Sequence, residues 1–279
     1  MTRAMLITHT HPETSSDAVA KAAAVARAQS VELICTPDEH EKHGAAAEGI
    51  TRVEDGERPD VCIVLGGDGS ILYALRRFAN TGVPVFGINF GTVGFLAAVE
   101  REDLEAGLRR AFEGDFEAMD LPALRVDLPV DRAVALNDVS FVRRPHGRVA
   151  QISYAIGGEE VGSVRCDGLV AATPAGSTGY NLANAGPILA WGVKGYVVSF
   201  IAPHTLAARA LVVAPDDALQ VRNAAGREPV EISLDGEPSG ELAPGDGLEI
   251  RFDDSVSRLA QLPGSSFYHR IQEKFGKLA

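Results

Sequence analysis

The residues of this chain best suited to chemistry stand in Val61 to Ala79, VCIVLGGDGSILYALRRFA, where an aspartate sits in a glycine-rich turn between an apolar run and an amphipathic segment. A strand-to-helix turn of this kind presents backbone N–H groups and the positive end of a helix dipole, which suits it to hold phosphate. Gly66, Gly67, Gly69 and Ser70 are the small residues and the hydroxyl of such a phosphate loop. A carboxylate in the same turn has the wrong charge for a simple cradle. Asp68 therefore reads as a general base beside a hydroxyl, or as a ligand for a metal that bridges phosphates. The alternative is a solvated Asp in a βα turn, where Asp and Gly are common.

Three other stretches carry polar groups where packing alone does not ask for them. Gly87 to Ala97, GINFGTVGFLA, adds glycines after a second apolar run, and two strand-end glycine turns in neighbouring βα units would line one cleft. Asn137-Asp138 interrupts an apolar strand pattern. An amide beside a carboxylate matches ribose hydroxyls or an adenine edge, although a solvent-facing pair on a sheet reads equally well. Cys166 to Leu189, CDGLVAATPAGSTGYNLANAGPIL, runs from Asp167 through a strand at Leu169 to Thr173 into a turn dense in backbone donors and hydroxyls. Tyr180 there offers a flat face for a base. As a structural connection the turn is unusually long and rich in small residues, so it reads as a binding loop.

The elements that must position these groups follow from the apolar patterns. Met5 to Thr8, Val31 to Cys35, Val61 to Leu65 and Pro84 to Ile88 read as strands. Helical patterns at Asp17 to Gln29, Ile71 to Ala79 and Glu102 to Phe112 alternate with them. This alternation predicts an α/β domain over 1–120, an open parallel-sheet (Rossmann-like) layer carrying the GGDGS turn. After Asp120 the period changes. Leu124 to Leu128, Val134 to Arg143, Gln151 to Ile156, Glu160 to Val164, Glu231 to Leu234 and Leu248 to Phe252 alternate like strands, with Gly157-Gly158 as a hairpin turn. They predict a β-rich domain over 121–255, a β-sandwich, followed by a segment 256–279 whose helix Phe267 to Phe275 returns to the first domain.

Bulk properties narrow the partners. The 279 residues are 46% hydrophobic and 23% charged with net charge −12, which argues against nucleic acid or an anionic membrane surface. No apolar run approaches the ~20 residues of a membrane span, and MTRAMLITHTHPE lacks the apolar core of a signal peptide. Cys35, Cys62 and Cys166 form no disulfide framework or zinc spacing and fit a reducing cytoplasm. His40 and His43 in PDEHEKHG read as part of a solvated helix or loop, and His9 and His11 as surface residues.

Together these stretches resemble the NAD kinases, enzymes that phosphorylate NAD to NADP. The matching pieces GGDGS, GTVGF, NDV, CDGLVAATPAGSTGYNLANAGP, APHTLAARALVV and SLDGE occur in the family's order, with FYHRIQEKFG also family-like. GGDG alone is shared more widely; the TPAGSTGY block is the specific piece. The resemblance implies an α/β domain plus a β-sandwich that binds NAD, and a homodimer or homotetramer. It implies that Asp68 deprotonates or orients the 2′-hydroxyl of the adenosine ribose, with Mg²⁺ or another divalent cation accompanying ATP or polyphosphate as donor. It further implies that Asp68, Gly69, Phe95, Asn137, Asp138, Arg148, Arg165, Asp167, Ala175, Thr178, Gly179, Tyr180, Asn181, Ala183 and Glu237 approach the dinucleotide. The chain departs from the family at Ser70 for Thr, Asp138 for Glu, Gly179 for Ala, and Glu237 for Gln or His. An ionised Glu237 cannot donate a hydrogen bond.

Two other classes share part of the pattern. A phosphofructokinase or diacylglycerol-type lipid kinase carries a GGDG turn, but the opening MTRAMLITHTHPE has no glycine-rich nucleotide loop and no basic membrane-facing stretch is present. A non-catalytic dinucleotide-binding protein would be marked by loss of Asp68, which this chain retains.

Overall fold

Val61 to Gly66 is buried along its whole length, as a strand must be when helices cover both faces of a parallel sheet. A computed structural model describes residues 2–91, 94–128, 132–224 and 228–276; Thr92 and Val93 of the GTVGF stretch lie outside the described residues. The chain divides into two compact units, Met1–Asp120 with Ser257–Ala279, and Leu121–Val256.

In chain order the first unit begins with β1 (Arg3–Thr8), α1 (Ser16–Ala28), β2 (Glu32–Cys35), α2 (Pro37–His43) and β3 (Thr51–Arg52). It continues with β4 (Val61–Gly66), α3 (Asp68–Arg77), β5 (Pro84–Asn89), β6 (Val99–Glu100) and α4 (Leu104–Glu113). The strands lie parallel in the order β3-β2-β1-β4-β5. One core packs Val19 and Ala22 of α1 and Leu108 and Phe112 of α4 against Leu33, Ile63 and Phe86 of the sheet. Ile71 and Leu75 are buried on the inner face of α3. Gly87 is required beneath that helix, because a Cβ there would lie 2.4 Å from Ile71 Cδ1.

β7 (Glu117–Asp127) carries the chain out of the first unit. The second unit then runs through β8 (Arg132–Ala135), β9 (Asp138–Arg143), β10 (Ala150–Ile156), β11 (Glu159–Cys166), β12 (Gly168–Ala172) and α5 (Tyr180–Ala183). It goes on through β13 (Tyr196–Ile201), β14 (Leu211–Val213), β15 (Leu219–Asn223), β16 (Val230–Leu234) and β17 (Glu237–Leu242), and β18 (Gly247–Gln261) brings the chain back, ending in α6 (Phe267–Phe275). One antiparallel sheet has the order β14-β13-β12-β9-β16-β17; β11, β10, β15 and the start of β18 form a second antiparallel layer. Phe141, Leu169, Val198 and Ile232 of the first layer share one core with Ile152, Val164, Leu219 and Ile250 of the second, the pattern of a β-sandwich. Gly157 and Gly158 make the β10–β11 turn with φ +58° and +85°, the left-handed pair that a tight hairpin needs.

The structure corrects four local expectations. The pattern expected as one strand from Val134 to Arg143 is two, β8 and β9, broken at Leu136-Asn137. The helix expected from Ile71 begins at Asp68, with Gly67 before it, so Asp68, Gly69 and Ser70 form its first turn. The strand expected over Leu248 to Phe252 continues to Gln261, because its far end pairs Arg258, Leu259 and Ala260 with Pro84, Val85 and Phe86 of β5. Finally, PDEHEKHG is helical but not fully solvated. His43 is buried, with Nε2 2.7 Å from Thr8 Oγ1 and Nδ1 3.0 Å from Ser16 Oγ, since helical spacing turns it toward β1. Burial lowers its pKa, against the opposing charge of Glu39.

Candidate active site

In the first unit the chemistry gathers on Asp68. Its carboxylate sits at the start of α3, where the helix dipole favours negative charge. Oδ2 accepts the Phe95 N–H at 2.8 Å and Oδ1 the Leu96 N–H at 3.1 Å. Gly94 permits this seat: a Cβ there would stand 2.1 Å from Asp68 Oδ1. Ser70 and Ile71 both donate to Gly67 O, so the N–H groups of Asp68 and Gly69 precede the first intrahelical bond, the arrangement that meets anions. Gly67 and Gly91 lie against each other, a Cβ on Gly91 falling 3.2 Å from Gly67 Cα, while nothing crowds Gly69. The two glycine stretches thus do come together in space.

Behind the loop stands Arg270 of α6. Its Nη1 donates to Phe95 O at 3.0 Å and to Ala97 O, and its Nη2 to Gln261 Oε1. Gln261 Nε2 in turn donates to Leu96 O at 3.0 Å. Burial pulls the Arg270 pKa down, and the negative charge of Asp68 opposes that pull. The Phe95 ring is spent on packing: it is 4% exposed, lies 5.9 Å from the Phe275 ring and 6.5 Å from that of Phe267, and has Lys274 Nζ 4.4 Å from its centre. Phe95 therefore meets Asp68 through its backbone N–H while its ring packs inward.

The second unit places Asn137 and Asp138 where the strand breaks. Asp235 causes the break. Its carboxylate accepts the N–H groups of Leu136 (3.0 Å), Asn137 (2.6 Å) and Asp138 (3.1 Å), replacing strand partners with a side chain. Thr173 Oγ1 donates to Leu136 O at 2.6 Å, and Thr173 N–H to Asn137 O at 2.9 Å. With its backbone clamped on both sides, Asn137 keeps a side-chain amide with no hydrogen bond among the described residues. Asp138 is 7% exposed, and burial together with the charge of Asp235 pushes its carboxyl up to about 7. A carboxyl in that range both donates and accepts near neutral pH.

Around this pair lie Asp167 and Tyr180. Arg143 Nε meets Asp167 Oδ1 at 2.6 Å and Nη2 meets Oδ2 at 3.3 Å, a two-pronged pair that holds the Asp167 pKa below its ordinary value. Tyr180 is 37% exposed, and burial raises its pKa, with the charges of Asp138 and Asp167 adding to the rise.

Comparison with known proteins decides the family. Residues 8–116 match the ATP-NAD kinase N-terminal domain family and residues 136–261 the ATP-NAD kinase C-terminal domain family. A relative named NAD kinase, from Symbiobacterium thermophilum, is 40% identical over 220 residues, covering 77% of this chain and 78% of its own. The chain belongs to the NAD kinase family. Another NAD kinase, from Gemmatimonas aurantiaca, is 35% identical over 237 residues, covering 80% of this chain and 81% of its own. Two crystal structures share the fold. A yeast NADH kinase complexed with NADH aligns at TM-score 0.88 and 21% identity, covering 100% of this chain and 89% of the other. An NAD kinase from Archaeoglobus fulgidus in complex with ATP aligns at TM-score 0.73 and 24% identity, covering 99% and 98%.

Within this NAD kinase fold the remaining site residues divide by exposure. Gly179 and Tyr180 are exposed and Thr178 half-buried, with Thr178 Oγ1 donating to Ala175 O at 3.3 Å. Ala183, Glu237, Arg148 and Arg165 are exposed, and the Arg148 N–H donates to Glu228 Oε2 at 3.0 Å. Ala175 and Asn181 are buried. Asn181 Nδ2 donates to Ser177 O at 2.9 Å and Pro187 O at 3.0 Å, so its amide nitrogen fastens the loop. Ser177 does likewise: its hydroxyl donates to Pro174 O at 2.7 Å and accepts the Leu189 N–H at 2.9 Å. Much of the polar wealth of TPAGSTGYN is thus internal stitching around the exposed Gly179-Tyr180.

Four residues that hold these groups were not singled out in the sequence: Gln261 and Arg270 in the first unit, and Arg143 and Asp235 in the second. For Asp235 a signal was available. Asp235-Gly236, with φ +51° and +82°, is the Asp-Gly dipeptide that marks a tight hairpin turn. Among the described residues no three His, Cys, Asp or Glu side chains gather as a metal site.

Proposed function

We propose that this chain transfers a phosphoryl group to the 2′-hydroxyl of the adenosine ribose of NAD, forming NADP, with Asp68 as general base. The observation that carries this reading is the seat of Asp68: a carboxylate at the first turn of a phosphate-suited helix, with each oxygen held by a backbone N–H and no ion pair among the described residues. A ribose hydroxyl is a poor nucleophile at neutral pH, so a carboxylate aimed at its proton lowers the barrier. The O2′–H proton passes to an Asp68 oxygen as O2′ bonds to the terminal phosphorus of the donor. The bridging P–O bond breaks, and its electrons leave with ADP or the shortened polyphosphate. The N–H groups of Asp68 and Gly69, and the small side chains at Gly66, Gly67 and Ser70, let phosphate oxygens approach the backbone.

Asn137, Asp138, Asp167 and Thr178 to Tyr180 are assigned to the dinucleotide in this reading. The free amide of Asn137 and the donor-acceptor carboxyl of Asp138 suit an adenine edge or ribose hydroxyls, and Tyr180 suits a base face. A divalent cation, Mg²⁺ in the first instance, would accompany the donor and neutralise its phosphate charge. The three cysteines are buried and unpaired, with burial raising Cys35 and Cys166 to about 11, which fits a reducing cytoplasm. No helix among the described residues is long and apolar enough to cross a membrane. A homodimer or homotetramer completes the reading, and light scattering on the purified protein reports it.

The deciding experiment incubates purified protein and Mg²⁺ with each pairing of NAD or NADH and ATP or polyphosphate. Appearance of the 2′-phosphorylated dinucleotide supports the reading; no such product from any pairing rejects it.

A further inference from the structure

A single peptide group joins Arg270 to Asp68. The carbonyl between Phe95 and Leu96 accepts from Arg270 Nη1 at 3.0 Å, and the N–H of that same peptide donates to Asp68 Oδ1 at 3.1 Å. A cation on the oxygen and an anion on the hydrogen polarise the peptide in one sense, so each bond strengthens the other. The neighbouring units are held alike: Gln261 takes Leu96 O, Arg270 also takes Ala97 O, and Gln261 Oε1 completes the circuit to Arg270.

Packing does not explain this guanidinium. Arg270 is half-buried, which still costs a cation desolvation, and apolar residues of similar volume commonly replace buried ionic groups at no loss of stability. Docking α6 needs only apolar contact, which Ile271, Phe267 and Phe275 already supply. What an apolar residue at 270 could not do is fix the orientation of the Phe95–Leu96 peptide, whose other end helps to seat a carboxylate.

We propose that Arg270 is a positioning residue for phosphoryl transfer, holding the Phe95-Leu96-Ala97 backbone so that its N–H groups aim Asp68 at the acceptor hydroxyl, with Gln261 as its brace. The assignment rests on Asp68 being the base. It extends the site to the C-terminal helix, some 200 residues on in the chain from the GGDGS turn.

The test compares kcat, KM for NAD and Tm in the wild type, Arg270→Gln, Asp68→Asn and the double variant, with enzyme concentrated enough to read residual rates. Misaimed catalytic groups cost up to about 10²-fold, so Arg270→Gln should lower kcat by roughly 10- to 100-fold while KM for NAD stays within about twofold. In the Asp68→Asn background the same change should cost less than about twofold, since a residue acting through Asp68 has nothing left to aim. Arg270→Lys, which retains the charge and a donor, should recover part of the loss. A kcat loss that multiplies undiminished in the Asp68→Asn background, or an unchanged kcat in folded Arg270→Gln, overturns the proposal. Should Arg270→Gln melt below the assay temperature, Gln261→Met removes the brace at similar bulk and is judged by the same two outcomes. If Asp68→Asn itself turns over at the wild-type rate, the base assignment fails and the proposal with it. A slow Asp68→Asn beside a fast Arg270→Gln rejects the positioning role alone.

Discussion

Asp235 and Asp138 hold each other's backbone. The Asp235 N–H donates to Asp138 O at 2.8 Å, and the Asp138 N–H donates to Asp235 Oδ1 at 3.1 Å. Two acidic residues are thereby kept close, and the Asp138 pKa is raised, by its burial first and by the charge of Asp235 second. The strand break that presents Asn137 depends on this pair.

Removing the Asp235 carboxylate leaves three backbone N–H groups without their acceptor. Each stranded donor costs ~1–3 kcal/mol, less than additively where water enters, so Asp235→Ala should lose about 3 kcal/mol in a denaturant titration. Asp235→Asn keeps an acceptor oxygen and tolerates the left-handed backbone at φ +51°, so it should lose distinctly less. Equal stability of Asp235→Ala and wild type would show that the break is held by other groups.

The raised carboxyl of Asp138 makes stability depend on pH. Its folded pKa of about 7 lies above the ordinary 3.8, so between those values the folded state binds more protons than the unfolded state. Stability contributed by this group is therefore full below about pH 4 and lost as pH rises to about 7. Three units at 1.36 kcal/mol each amount to about 4 kcal/mol. Without ligand, Asp138→Asn should gain on the wild type as pH rises from 5 to 8. A difference that does not change with pH would mean that Asp138 is ionised throughout.

Asn137 separates binding from folding. Its backbone is clamped by Asp235 and Thr173, while its side-chain amide has no hydrogen bond among the described residues. Asn137→Ala should raise KM for NAD about tenfold or more, the worth of one or two lost hydrogen bonds, with Tm little changed. A large drop in Tm with unchanged KM would assign Asn137 to structure instead.

Asp68→Asn keeps the shape of the side chain and removes its charge. General-base help is worth ~10²–10⁴ in rate, so kcat should fall by that order while NAD still binds. Turnover near the wild-type rate would leave Asp68 as a turn residue only.

Gly94→Ala probes the same group sterically. A Cβ 2.1 Å from Asp68 Oδ1 must push the carboxylate off the Phe95 and Leu96 N–H groups. The expected result is a kcat loss of up to about 10²-fold with KM for NAD near wild type. Full activity would show that the carboxylate has room to reseat.

Short-range chemistry makes much of this molecule legible in its residue order. Continuous apolar runs such as Val61 to Gly66 mark buried parallel strands, and alternating runs with Gly157-Gly158 between them mark a hairpin, because burial and backbone freedom act over a few residues. Asp68, Asn137 and Asp138 stood out in the same way, as polar groups in places where packing does not call for them. What each polar group is spent on emerges with the fold. The polar groups of Asn181 and Ser177 are spent on fastening their own loop, while Arg270 and Gln261 hold the backbone that seats Asp68, and Asp235 the backbone that presents Asn137. Hydrogen bonds join groups by distance in space, and Arg270 reaches Phe95 across 175 residues of chain, a separation over which residue type and spacing carry no signal.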